Sequence, residues 1–344
     1  MFTIGGANQS DSLTIYRLDP GESQASFAQD VLAGLTSAPK TLLPKYFYDE
    51  LGSRLFEAIC CLPEYYVTRD ENEIVAGNIG EIVDELAIPD KASVQLIELG
   101  SGSAEKTRLI IEAFLQRDTD LHYLPIDISS SSLERSSEDL LHAYPGLRIS
   151  GYAADYYSAL RALRGAGAHD RRGDTRTVVL FFGSSIGNLD PVESRELLGE
   201  IRAVLRPGDV LLLGADLKKS AAILIPAYDD ALGVTAAFNL NLLVRINREL
   251  GGNFDLGKFE HRAVYNEEHG RMEMHLFSRE AQTVRLRGVN AEVNFERGES
   301  IHTENSYKFS LEDLRGLADD TGFHLKKTWF DGNRHFSFNV FSAA

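Results

Sequence analysis

The sequence predicts an α/β fold: a Rossmann-like, doubly wound parallel sheet that closes in an antiparallel C-terminal hairpin and carries an inserted second subdomain. Three observations lead there. Apolar runs of strand length alternate with amphipathic helical segments from Glu71 to Gly214. A glycine turn, Gly100-Ser101-Gly102, joins the first of these strands to the next helix. The alternation stops beyond Asp216 and returns only near Ser310, which marks an insertion.

Taken in order, residues 1–19 are polar and Gly/Ser-rich and read as a loose tail before a helical pattern that begins near Ser26. From Leu43 to Arg69 the chain is aromatic and broken by Pro44 and Pro63, which predicts short helices and turns lying over something, in the manner of a lid. A helix over Glu71–Leu86 precedes the strand Val94–Leu99 and the helix Lys106–Gln116. Strand Leu121–Asp127, helix Ser130–Tyr144, strand Arg148–Ala153 and strand Thr177–Phe182 follow, and Gly165–Arg176 reads as an insertion without a motif. Asp190 as N-cap, Pro191 at the first helical position and Glu193 form a capping-box pattern ahead of Leu197, Leu198, Ile201 and Leu205, and the strand Val210–Gly214 comes next. The insertion holds a helix over Ala236–Leu250 and strands at Met272–Phe277, Gln282–Leu286 and Ala291–Phe295. A helix over Ser310–Thr321 and the hairpin His324–Trp329 with Phe336–Phe341 complete the chain. Residues 70–218 and 309–344 are thus expected to form the sheet domain, and 20–69 with 219–308 the second.

Composition narrows the function. A chain of 344 residues with 43% hydrophobic content can bury a large core. Its 51 acids against 35 bases, a net charge of −16, leave no basic field for nucleic acid. No membrane span or signal peptide is evident, which predicts a cytoplasmic protein with a small-molecule partner. Adjacent Cys60 and Cys61 offer neither a disulfide framework nor a zinc spacing, and nine scattered histidines support no metal.

Glu98, Leu99, Gly100, Ser101, Gly102 and Ser103 stand where a backbone needs glycine to approach a ligand, although such a turn is sometimes only a tight turn. Two acids add weight. Asp127 ends the second strand about 25 residues on, where a carboxylate accepts from ribose hydroxyls, and Asp155 ends the third, within reach of an adenine amine. A nicotinamide site favours G-x-G-x-x-G, but Glu105 holds the third glycine position and a carboxylate there serves a pyrophosphate badly. S-adenosyl-L-methionine has no phosphate. Its sulfonium suits surroundings that include Glu98 and Asp127, and Lys106 is charged to hold its carboxylate, unless Lys106 is an ordinary solvated first-turn residue.

From about Pro39 onward the chain resembles the histidine-specific methyltransferases of ergothioneine biosynthesis, which make the betaine hercynine. The matching blocks are Pro44-Lys45-Tyr46-Phe47-Tyr48-Asp49, Leu62-Pro63-Glu64-Tyr65-Tyr66, the Glu98–Ser103 turn, Phe182-Gly183-Ser184-Ser185-Ile186-Gly187-Asn188, Val234-Thr235-Ala236-Ala237-Phe238-Asn239 and Thr303-Glu304-Asn305-Ser306. The resemblance implies a methyltransferase-type sheet domain, a substrate-binding second domain and a monomer. It implies cofactor binding at Gly100, Lys106, Asp127 and Asp155. It places Asn188 at the substrate's amino acid head, with Tyr48, Tyr65 and Tyr228 around the amine and carboxylate, Glu304 and Ser306 on an imidazole ring, and Met274 in the pocket wall. Asn188 and Tyr48 would be the catalytic pair that orients the amine.

Read singly, Tyr48 and Tyr65 are packing aromatics with wet hydroxyls, Asn188 a turn residue, Glu304 a solvated strand-edge acid and Met274 core filler. Together they point to N-methylation of the histidine α-amine. Glu304 would accept from one ring nitrogen, and Ser306 would donate to or accept from the other. The same family includes fungal enzymes that methylate a tryptophan derivative, so an N-methyltransferase of tryptophan or a related amino acid is the alternative. A Rossmann oxidoreductase and a catalytically silent binding protein are the other classes weighed.

Overall fold

In the computed structural model, residues 9–10, 12–18, 23–165 and 175–344 are described. The motif-free insertion read over Gly165–Arg176 falls at 166–174 outside them, as do residues 1–8, 11 and 19 of the N-terminal segment. The chain divides into two compact units: Met1–Pro20, Val67–Lys218 and Phe309–Ala344 make the first, and Gly21–Tyr66 with Lys219–Lys308 the second.

The first unit is built on a nine-stranded sheet. From edge to edge its strands are Gln9–Ser10, Leu13–Arg17, Arg148–Ala153, Asp120–Asp127, Ser93–Leu99, Arg176–Phe181, Val210–Asp216, Phe336–Ala343 and Phe323–Phe330. Strands from Leu13–Arg17 through Val210–Asp216 pair parallel, and the C-terminal hairpin adds antiparallel. The apolar runs arise because the strands are buried on both faces: Val178, Val179, Leu180 and Phe181, and Leu211 to Leu213, are all 0% exposed. From Ser93–Leu99 the chain winds outward to one side, then returns to Arg176–Phe181 on the other. The ends of these two neighbouring strands therefore form the switch point where an open α/β sheet binds ligands. The Asp190 capping box is present, its carboxylate accepting from the Val192 and Glu193 amides.

The N-terminal segment corrects the expectation of a loose tail, because Leu13–Arg17 is a strand paired with Gln9–Ser10 on one side and Arg148–Ala153 on the other, and Ile15 is buried. Helix Tyr66–Glu85 starts ahead of the Glu71 read from sequence, and Tyr156–Gly165 is a helix that sequence reading passed over.

The second unit holds a four-stranded sheet, ordered Lys40–Thr41, Ser300–Tyr307, Arg271–Ser278, Phe259–Asn266, together with the hairpin Gln282–Leu286 and Ala291–Phe295. Two of these strands escaped sequence reading for a physical reason. Besides Ile301, Ser300–Tyr307 buries Thr303, Glu304 and Ser306, and besides Phe259, Phe259–Asn266 buries His261 and the small Ala263, so polar or small residues interrupt the apolar alternation that marks a strand. Helices Ser23–Thr36, Glu50–Cys60, Ala221–Tyr228 and Val234–Leu250 also belong to the unit, the third of them disguised by Pro226. No helix among the described residues is long and apolar enough to cross a membrane.

Candidate active site residues

In the first unit the Ser93–Leu99 strand ends in three left-handed residues, Gly100 (φ 73°), Gly102 (φ 49°) and Ala104 (φ 55°), before the helix Glu105–Leu115. A side chain on Gly100 would also meet the Tyr156 hydroxyl at 2.8 Å. This strained turn is gripped from the next strand by Asp127, whose carboxylate accepts from the Gly102 amide at 2.9 Å and the Ser129 amide at 2.8 Å. Burial raises the Asp127 pKa, and the backbone N–H groups oppose that. Asp155 accepts from the Ser158 amide and hydroxyl at 2.9 and 2.7 Å, so its carboxylate holds the first turn of Tyr156–Gly165. Glu98 differs from the sequence expectation of an acid surrounding a ligand. It is buried beneath the turn, its oxygens accept from Thr107 (2.6 Å) and Tyr123, and desolvation pushes its pKa up to about 7.

Lys106 is bonded to a residue that sequence reading missed. Its ammonium meets the carboxylate of Glu71, which is 0% exposed and also accepts from the Gly183 amide at 2.9 Å. Glu71 thereby ties the Gly100–Ala104 helix start to the turn after Arg176–Phe181. In that turn Gly183 and Ser184 are left-handed (φ 69° and 56°), the Ser184 hydroxyl accepts from the Asp216 amide, and the 3-10 turn Ser185–Asn188 places Asn188 half-buried. Glu71 carries no local motif that sets it apart in the sequence. These features fit an adenosyl sulfonium ligand: backbone exposed at glycines, one carboxylate at the second strand end and, among the described residues, no cluster of cations for phosphate at the turn.

In the second unit, the 3-10 turn Pro44–Phe47 and the Asp49 cap of Glu50–Cys60 hold Tyr48 between them. Asp49 accepts from the Gly52 amide at 2.7 Å and from Asn241 at 2.8 Å, and the Tyr48 ring packs edge-on against Phe56 and Phe238. Tyr65 lies 6.2 Å from Tyr228, ring to ring. Burial first, then the neighbouring Tyr228, Cys60, Tyr48 and Glu304, raises the Tyr65 pKa well above its usual value, which keeps it a neutral donor.

Strand pairing puts Met274 beside Glu304 next to a bulge, both buried. Glu304 is not the solvated acid its residue type suggests: desolvation pushes its pKa up to about 8 against the pull of Lys308. The Ser306 and Tyr228 hydroxyls, assigned from sequence to ring and carboxylate recognition, are 2.8 Å apart, and Lys308 donates to both. His261 accepts at Nδ1 from the Asn239 amide nitrogen and so donates from Nε2 to the Tyr228 carbonyl at 2.9 Å, anchoring that residue's backbone. Lys308 and His261 carry no local motif and were missed. His275 and His302 also meet, ring centroids 4.9 Å apart, beside Glu273, whose carboxylate is already engaged by Arg271 and Asn266.

Comparison with known proteins finds relatives that match over most of the chain. A family model described as histidine-specific, SAM-dependent methyltransferase matches residues 27–343. The histidine N-alpha-methyltransferase of Mycolicibacterium smegmatis is 41% identical over 91% of this chain and 93% of its own length. Its namesake in Mycobacterium tuberculosis is 38% identical over the same shares, 91% and 93%. Ergothioneine biosynthesis protein 1 of Schizosaccharomyces pombe is 31% identical over 83% of this chain but 36% of its own length.

Proposed function

The chain belongs to the histidine-specific, S-adenosylmethionine-dependent methyltransferase family, and on that premise we propose that it methylates the α-amino group of L-histidine, up to the trimethylated betaine hercynine. The observation that carries the choice of substrate is the buried carboxyl group of Glu304 two residues from the buried Ser306 hydroxyl on one strand, an acceptor oxygen and a hydroxyl on neighbouring positions. A ring with nitrogen at two positions uses both groups; indole has a single N–H and uses one.

S-adenosylmethionine, when bound, supplies an electrophilic methyl group on a sulfonium. Gly100, Lys106, Asp127 and Asp155 are the residues proposed to hold it, with Asp127 directed to the ribose. Lys106 then shares its ammonium between Glu71 and the methionine carboxylate. Tyr65 serves the substrate carboxylate as a hydroxyl donor, whereas the Tyr228 hydroxyl, expected from sequence to be a second such donor, lies 2.8 Å from Ser306 and is assigned to hold that residue instead; Met274 walls the ring, and Asn188 and Tyr48 orient the amine lone pair. In-line displacement requires a neutral amine aligned with the methyl group, so positioning supplies most of the acceleration and the amine proton leaves to water. The proposal includes a monomeric, cytoplasmic enzyme acting on a free amino acid.

Titrating protein saturated with S-adenosylhomocysteine with histidine, tryptophan and phenylalanine tests the reading. Histidine is expected to bind at least tenfold more tightly than the others, and equal or tighter tryptophan binding overturns the assignment of Glu304 and Ser306.

A further inference from the structure

Lys308 is a cation for which the reading above has no task. It lies just beyond the strand Ser300–Tyr307, is 2% exposed, and donates to the Tyr228 hydroxyl at 2.7 Å and the Ser306 hydroxyl at 2.8 Å. Its ammonium also stands 4.6 Å from the Tyr228 ring centroid. Burying a lysine among hydroxyls is costly, and apolar residues pack such a corner more cheaply.

Hydrogen-bond bookkeeping gives it a task. An ammonium has donors and no acceptor, so each hydroxyl oxygen commits a lone pair to Lys308. The two hydroxyls are 2.8 Å apart, so one of them donates to the other. A phenol is the stronger acid and the better donor, which makes Tyr228 donate to Ser306. The Ser306 oxygen then accepts from Lys308 and from Tyr228, and what it has left for a ligand is its own O–H.

We propose that Lys308 is a specificity-determining positioning residue: by filling the acceptor capacity of the Tyr228–Ser306 pair it fixes Ser306 as a donor, so that the bound ring must offer Ser306 an unprotonated nitrogen while offering Glu304 an N–H. The inference rests on the assignment of the ring to Glu304 and Ser306 made above. Neutral imidazole in a single tautomer meets both demands. Imidazolium has no lone pair for Ser306, and pyrrole and indole have no acceptor nitrogen.

The test is calorimetric titration of the S-adenosylhomocysteine-loaded protein with L-histidine and with the two pyrrolylalanines, in each of which one ring nitrogen is replaced by CH. Lys308→Met is expected to weaken histidine about ten- to a hundredfold, the range for a charge-assisted hydrogen bond, and to leave pyrrolylalanine binding within about twofold. Ser306→Ala is expected to do the same, and the double variant to be no weaker than either single one. Unchanged S-adenosylhomocysteine affinity verifies that each variant is folded. Equal loss for histidine and the pyrrole analogues, no loss for histidine, or additive single losses overturns the inference while the function stands. Failure of the wild-type protein to bind histidine brings down the ring assignment itself, and the role of Lys308 with it.

Discussion

Gly214 and Glu71 compete for one space: a Cβ on Gly214 would stand 1.9 Å from Glu71 Oε1. The glycine inside the Val210–Asp216 strand is what admits a fully buried carboxylate to Lys106 and to the Gly183 amide. Gly214→Ala is expected to displace Glu71 and weaken S-adenosylhomocysteine binding at least tenfold, measured by calorimetry. Unchanged affinity would detach Glu71 from the cofactor residues.

Asp127→Asn keeps one acceptor oxygen where the carboxylate has two, both already in use by Gly102 and Ser129. The glycine turn loses a charge-assisted bond, and the ribose loses its acceptor. S-adenosylhomocysteine affinity should fall about ten- to a hundredfold, with histidine binding at saturating S-adenosylhomocysteine little changed.

Glu304 titrates near 8 in the folded protein and near 4.5 in its ordinary state. Between those values the folded chain holds a proton that the unfolded chain has released, so raising pH through this window costs stability. Glu304→Gln removes that cost. In thermal unfolding without ligand, the variant should exceed wild type in Tm at pH 8, with the gap narrowing toward pH 5; a gap that stays constant across this range would mean that Glu304 is ionised throughout.

Ser310 caps the helix Leu311–Asp320, accepting from the Asp313 amide while Asp313 accepts from the Ser310 amide. Ser310→Ala should cost about 1 kcal/mol of stability. Methyl transfer at 25 °C should be unchanged, since this cap touches no residue proposed to bind cofactor or substrate.

What the sequence disclosed follows from which residues are local in their effect. The strand Val94–Leu99 with its glycine turn and the Asp190-Pro191-Glu193 cap act within a few residues of themselves, and both stand as read. A strand such as Ser300–Tyr307 did not announce itself, because apart from Ile301 the side chains it buries are Thr303, Glu304 and Ser306, whose polarity looks like a loop until their partners are known. The site divides in the same way. Asp127 at the end of its strand and Asp155 just past the end of its own were placed from sequence, and the cofactor role proposed for them rests on those places. Glu71, His261 and Lys308 depend on partners 35, 33 and 80 residues away, and no local spacing encodes such meetings.

The central claim, N-methylation of histidine, is tested most directly by mass spectrometry of products after incubation of the purified protein with S-adenosylmethionine and each free amino acid in turn. The account predicts mono-, di- and trimethylated histidine, abolished by Asn188→Ala and selectively weakened by Glu304→Ala. Methylation of tryptophan or another amine without histidine turnover, or no turnover with any amine, would contradict it.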